Sequence, residues 1–162
     1  MIKRLHHAAY RCRDSEETRR FYEDFLGLPL VASLRIGETK TGRATDALHT
    51  FYALDDGSCI AFFEAPDMPF EFKSQHDFDL HIALEVDEAT VTAMHAKGKA
   101  AGVETRGVID HGLFHSVYFR DPNGYVVELG ANVAGHEEAM AKESKEARSI
   151  LDAWQRERGA ER

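Results

Sequence analysis

The sequence predicts an α+β chain: two β-α-β-β-β modules whose mixed sheets curve around a cleft, followed by a C-terminal amphipathic helix. Three observations predict it. Short strand-like apolar runs and single helix-period stretches follow one another in the same order twice, over about residues 5–65 and 80–130. Both helical stretches begin at an aspartate, Asp14 and Asp87, and stop at a glycine, Gly27 and Gly102. Residues 136–158 carry one further helical stripe that neither module contains. The implied organisation is a two-module domain over residues 1–134 and a helical extension over 135–162.

Bulk composition narrows the class. At 43% hydrophobic and 30% charged residues the chain is an ordinary globular one, neither disordered nor membrane-embedded. A net charge of −8 argues against nucleic acid and acidic membranes as partners. Two cysteines are too few for a disulfide framework, and Cys59, inside an apolar run, reads as a small buried hydrophobe. With no signal peptide ahead of MIKRLHHAAY, a cytoplasmic location is the expectation.

In chain order, Leu5 to Cys12 is the first strand. In DSEETRRFYEDFLG, Asp14 and Glu17 have capping-box spacing, and Thr18, Phe21, Tyr22 and Phe25 form the buried stripe. Leu28 to Leu34 is strand-like, and the polar residues 35–47 read as a mobile loop. Leu48 to Leu54 and Cys59 to Glu64 are strands around the turn DDGS. A linker over 66–78 leads to the second module: strand Leu80 to Val86, helix Asp87 to Ala101 with Val91, Met94 and Ala101 on one side, strand Val103 to Val108, and the hairpin FHSVYFRDPNGYVVEL. In the extension, Met140, Ser144, Ala147, Leu151 and Trp154 share a face that must pack on its own domain or on a second subunit.

The hairpin poses a chemical question, because Glu128 sits mid-strand, where an unpaired charge is costly. DPNG favours a type I turn with Pro122 second and Gly124 left-handed, which pairs Asp121 with Tyr125 and places Tyr118 opposite Glu128. Alternation in LHIALEV turns His81, Ala83 and Glu85 to one face and Ile82, Leu84 and Val86 to a helix. His7 occupies the matching strand of the first module. Singly, each histidine is an unremarkable structural group. Together, two imidazoles and one carboxylate suit a divalent metal with open positions, such as iron(II) that binds substrate and dioxygen, and the ion compensates the carboxylate.

These stretches resemble the vicinal oxygen chelate superfamily, which includes glyoxalase I, bleomycin-resistance proteins and extradiol dioxygenases, over about residues 3–131. LHHAAYRCRDSEETRRFYEDFLGLPL resembles its first strand and helix; the family's metal histidine stands seven residues before the helix-opening aspartate, which selects His7 over His6. HIALEVD implies His81 as the second ligand and DPNGYVVEL implies Glu128 as the third. Glyoxalase I-like members take a fourth ligand at the place occupied here by Ala61, and its absence favours the ring-cleaving branch. The extradiol enzymes also carry a substrate-contacting tyrosine ten residues before the glutamate, which is Tyr118.

The resemblance therefore implies an Fe(II) extradiol-type dioxygenase acting with dioxygen on a small catechol- or hydroquinone-like aromatic, in a homodimer. Tyr118 would contact substrate, and Phe51, Phe62 and Phe114 are candidate walls. The histidine that many such enzymes place in the region DGSCIAFFEAP is missing, so His49 or His111 would move the proton, whereas His115 points away. Two alternatives stay open: a glyoxalase-like or epimerase-like isomerase or lyase using Mn, Ni, Co or Zn, and a non-catalytic protein that binds an aromatic antibiotic.

Overall fold

The computed structural model describes residues 1–160. The elements are β1 (His7–Cys12), α1 (Ser15–Arg19) running into a π-helical segment (Arg20–Phe25), β2 (Leu30–Glu38), β3 (Ala44–Ala53), β4 (Cys59–Glu64), β5 (His81–Glu85), α2 (Glu88–Ala100), β6 (Thr105–Asp110), β7 (Phe114–Arg120), β8 (Val126–Asn132) and α3 (His136–Ala160). This is the predicted α+β order, β-α-β-β-β twice and then a helix. Two four-stranded sheets result, ordered β1-β4-β3-β2 and β5-β8-β7-β6. Each module thus brings its first strand beside its last. β1 runs parallel to β4, while β3 is antiparallel to both β2 and β4. Two compact units contain these elements, Met1–His81 with Arg120–Val126, and Ile82–Phe119 with the chain from Val127 onward.

In the first unit the Asp14 side chain caps α1 by accepting from the Glu17 N–H at 2.8 Å. The Glu17 carboxylate turns to Arg13, so the reciprocal half of the expected capping box is replaced by an ion pair. The helix then widens: Leu26 N–H donates to Phe21 O at 2.9 Å, the five-residue reach of π-winding, and beyond its end Leu28 N–H closes onto Tyr22 O at 2.9 Å. Thr18, Phe21, Tyr22 and Phe25 are all buried, as the stripe predicts. Tyr22 packs 4.7 Å from Phe62 and 5.6 Å from Tyr52, ring to ring.

Strand alternation leaves His7, His49, Phe51, Ala61 and Phe63 on the opposite face of this sheet from Tyr10, Tyr52, Ile60 and Phe62. Phe62 is therefore core under the helix, and the expectation that it walls a cleft is corrected by its strand parity. Cys12 is the fully buried cysteine, while Cys59, in register with His7, is only half-buried. The stretch read as a mobile loop is instead mostly hairpin. Arg35 pairs in register with Leu48 and Ile36 with Ala47, and only residues 39–43 connect β2 to β3. The polar side chains that suggested a loop lie on a solvated pair of strands, where Arg35 forks onto Asp46 at 2.9 and 3.1 Å.

In the second unit Asp87 caps α2 through the Thr90 N–H at 2.7 Å. Val91, Met94 and Gly98 are the buried residues of α2, and Ala101, expected on that face, is exposed beyond its end. Gly98 is required by close approach: a Cβ there would lie 2.3 Å from Thr105 Oγ1 and 2.6 Å from the Phe119 ring. The apolar face of α3 points outward, with Met140, Leu151 and Trp154 half-exposed and Arg158 stacked 4.5 Å over the Trp154 ring. Among the described residues no helix is long and apolar enough to cross a membrane.

Candidate active site

The hairpin after β7 has the register its turn residues specify. Asp121 N–H donates to Tyr125 O at 2.9 Å and Gly124 N–H to Asp121 O at 3.0 Å, with Gly124 at φ +95°. Asp121 clamps the turn. Its Oδ1 accepts the N–H groups of Asn123 at 2.9 Å and Tyr125 at 2.8 Å. Its Oδ2 accepts the Tyr22 hydroxyl at 3.1 Å and the Asn123 amide at 3.2 Å. Burial pushes the Asp121 carboxyl above the usual carboxylate range, and these donors pull against that shift.

Glu128 is 3% exposed on β8. Two hydroxyls serve its carboxylate: Ser116, fully buried on β7, donates to Oε1, and the Tyr118 side chain hydrogen-bonds to it as well. The His111 Nε2 atom lies 3.1 Å from the Tyr118 hydroxyl. The tyrosine O–H donates to the carboxylate, so it accepts from His111 Nε2–H. Burial first, and then the bond and charge of Glu128, raise the Tyr118 pKa, which keeps the phenol protonated at neutral pH. Arg106, in register with Tyr118, places its guanidinium 4.8 Å from the Tyr118 ring centre. His115 bonds Glu88 of α2 at 2.8 Å and so faces the helix, as alternation predicts.

The first module presents imidazoles. The His49 Nδ1 is 2.9 Å from Phe62 O, and its ring stacks on Phe63 at 3.6 Å. His7 is exposed, 6.4 Å from His49 and 5.6 Å from Phe51 between ring centres, with its Nδ1 2.7 Å from that of His6. The His81 Nδ1 lies 2.7 Å from Asp77 O. A carbonyl oxygen only accepts, so His49 and His81 each donate an Nδ1–H to it. Such a bond is the kind that orients a metal-binding or basic imidazole.

The structure thus joins three of the expected residues, His111, Tyr118 and Glu128, in one hydrogen-bonded chain, and sets His7 near His49 across Phe51. Among the described residues no three His, Cys, Asp or Glu side chains form a group able to hold a metal ion. Ser116 was missed by sequence reasoning, although a signal existed: it lies two residues before Tyr118, on the same strand face, and diagonal to Glu128.

The hairpin between β3 and β4 repeats the geometry with different side chains. Leu54 N–H donates to Ser58 O at 2.8 Å and Gly57 N–H to Leu54 O at 2.9 Å, and Phe51 pairs with Ala61. Ala61, Phe51 and His49 therefore stand where Glu128, Tyr118 and Ser116 stand in the second module.

Comparison with known proteins places this geometry in context. The model of the Glyoxalase/Bleomycin resistance protein/Dioxygenase superfamily matches residues 4–129. A probable lactoylglutathione lyase of Vibrio parahaemolyticus is 29% identical over 135 residues, covering 80% of this chain and 91% of the relative. One from Vibrio cholerae is 28% identical over 136 residues, covering 82% and 94%. Among solved structures, the fosfomycin resistance protein FosX of Listeria monocytogenes shares the fold with a TM-score of 0.63 at 22% identity, covering 84% of this chain and 98% of that one. The same FosX has been crystallised with Mn(II) and a sulfate ion.

Proposed function

Because the chain belongs to the Glyoxalase/Bleomycin resistance protein/Dioxygenase superfamily, we propose that it is a metal-dependent enzyme with ligands His7, His81 and Glu128 and glyoxalase-like or epimerase-like isomerase or lyase chemistry. The observation that carries the proposal is the buried Glu128 carboxylate tied through Tyr118 to His111. The names of the Vibrio relatives favour this chemistry over ring cleavage.

By donor type, two imidazoles and one carboxylate suit a divalent ion such as Mn, Ni, Co or Zn. His81 is oriented by its Nδ1–H bond to Asp77 O, and Glu128 is supported by Ser116 and Tyr118. When bound, such an ion stabilises an enediolate or enolate oxygen. The side chains handle the proton. Tyr118, held protonated between His111 and Glu128, would turn its hydroxyl from one of these partners to hydrogen-bond a substrate oxygen. In an isomerisation the proton lost from one carbon returns to its neighbour, so no external oxidant is needed.

Metal analysis of protein purified without added metal is the first test. Near-stoichiometric divalent ion, lost in His81→Ala and Glu128→Ala, is expected; full retention in either variant refutes the ligand set. Turnover of a 2-oxoaldehyde–thiol adduct with Ni or Zn, without oxygen uptake, supports the isomerase or lyase chemistry. Two observations keep a second reading. Ala61 stands where a fourth ligand would be needed for the glyoxalase I type, and the turn register puts Tyr118 opposite Glu128. Oxygen uptake with a catechol after anaerobic iron(II) loading decides for that reading. A protein with no stoichiometric metal, unchanged by His7→Ala, is left with antibiotic binding. The proposed homodimer is read by sedimentation, and activity recovered on mixing His7→Ala with Glu128→Ala assigns the site to two chains.

A further inference from the structure

We infer that α3 pairs with the α3 of a second copy of this chain, antiparallel about a two-fold axis. The inference is independent of the metal chemistry proposed above and names the surface that would hold the homodimer. α3 is 25 residues long, and every residue from Met140 to Leu151 is exposed, so over three turns no side of the helix is covered. Met140, Ile150, Leu151 and Trp154 are between 45% and 55% exposed. A helix draws most of its stability from packing its apolar face, so this face needs a cover.

The stripe is complementary to itself. Met140, Ser144, Ala147, Leu151, Trp154 and Arg158 follow one another at alternating spacings of four and three residues, the repeat of a two-helix seam. The small side chains, Ser144 and Ala147, lie in its first half, and the large ones, Leu151 and Trp154, in its second. One antiparallel register sets Ser144 of one copy against Trp154 of the other, Ala147 against Leu151, and Met140 against the aliphatic stem of Arg158. Small then meets large along the centre of the seam, and the helices stay evenly spaced. A parallel pair would stack Trp154 on Trp154 and Ser144 on Ser144, which no single interaxial distance fills. Charge follows the same two-fold. Glu137, Glu138, Glu143 and Glu146 outnumber Lys142 and Lys145 in the first half of α3, whereas Arg148, Arg156 and Arg158 outnumber Asp152 and Glu157 in the second. Antiparallel pairing lays the acidic half of each helix along the basic half of the other and sets their dipoles head to tail.

The stripe is about 27 Å long and one helix wide, less than the about 800 Å² per partner of a standard interface, so the pair should form reversibly at micromolar concentrations. Sedimentation equilibrium of the full chain across that range is the test, beside circular dichroism of each variant. Wild type should dimerise. Leu151→Glu places a carboxylate in the seam twice, once from each copy, and should weaken association on the order of 100-fold. Ser149→Glu adds the same charge on the opposite side of the helix and should dimerise like wild type. Ile150 flanks the seam beside the two-fold axis, so Ile150→Cys in a Cys59→Ser background should give a disulfide-linked dimer under mild oxidation. A parallel pair would hold the two residues on opposite sides of the seam. A wild type that stays monomeric overturns the inference together with the homodimer reading. A Leu151→Glu protein that dimerises like wild type, or an Ile150→Cys dimer that forms no disulfide, overturns the inference and leaves the homodimer to another face. None of these readouts depends on the metal or the reaction, so the proposed chemistry stands or falls separately.

Discussion

Replacing Asp121 by alanine strips the acceptor from four donors at once: the N–H groups of Asn123 and Tyr125, the Asn123 amide and the Tyr22 hydroxyl. Tyr22 and Asn123 are each 1% exposed, so neither can turn to water. A buried donor left without a partner costs about 1–3 kcal/mol. The four share one acceptor, so their costs do not simply add, and a total of roughly 3–5 kcal/mol is expected. Asp121→Asn keeps one acceptor oxygen for the two N–H groups and should cost only about 1–2 kcal/mol.

The pH dependence has a definite sign. Burial raises the folded carboxyl pKa above its unfolded value, so stability from this group is fully present below the unfolded pKa and is lost as pH rises through the folded one. Asparagine does not titrate. The stability gap between wild type and Asp121→Asn should therefore be widest below about pH 4 and narrow as pH rises toward neutrality. Urea denaturation of the three proteins across that range measures both quantities. A cost for Asp121→Ala below about 1 kcal/mol, or a gap that widens as pH rises, refutes the reasoning.

Three further outcomes are expected. Gly98→Ala gains about 1 kcal/mol of helix propensity, yet it drives a methyl into Thr105 and the buried Phe119 ring; overpacking of about 1–3 kcal/mol should leave denaturant stability lowered, and a stabilised variant would contradict the contact. The Cys12 thiol is buried and pushed up to about 11, so a thiol reagent at neutral pH should label Cys59 alone in the native protein, and rapid labelling of both would count against it. Tyr118→Phe removes the hydroxyl between His111 and Glu128, so kcat on a 2-oxoaldehyde–thiol adduct should fall on the order of 100-fold with KM little changed; a purely KM effect would make Tyr118 a binding group.

Much of the hairpin that carries Tyr118 and Glu128 was legible because it rests on local rules. The DPNG turn specifies its own backbone conformation, and counting from it puts Tyr118 opposite Glu128 without knowledge of any other residue. Alternation placed His115 on the helix side and His81 on the other. Where the reading failed, polarity was taken as conformation. Arg35 and Asp46 looked like loop residues, but each charge satisfies the other across two solvated strands. Phe62 looked like a cleft wall because aromaticity says nothing of strand parity, and its partner Tyr22 lies far along the chain.

By itself the sequence determined the order of elements, the two repeated modules and the backbone register of the hairpin, since these follow from periodicity, capping and turn residues within a few positions of one another. Only the tertiary structure decided that His111 reaches the Tyr118 hydroxyl, that Ser116 spends its proton on Glu128, and that the apolar face of α3 looks outward. Those facts depend on rotamers and on which packed surfaces exclude water. They are set by the sum of contacts around each side chain, which no local pattern encodes.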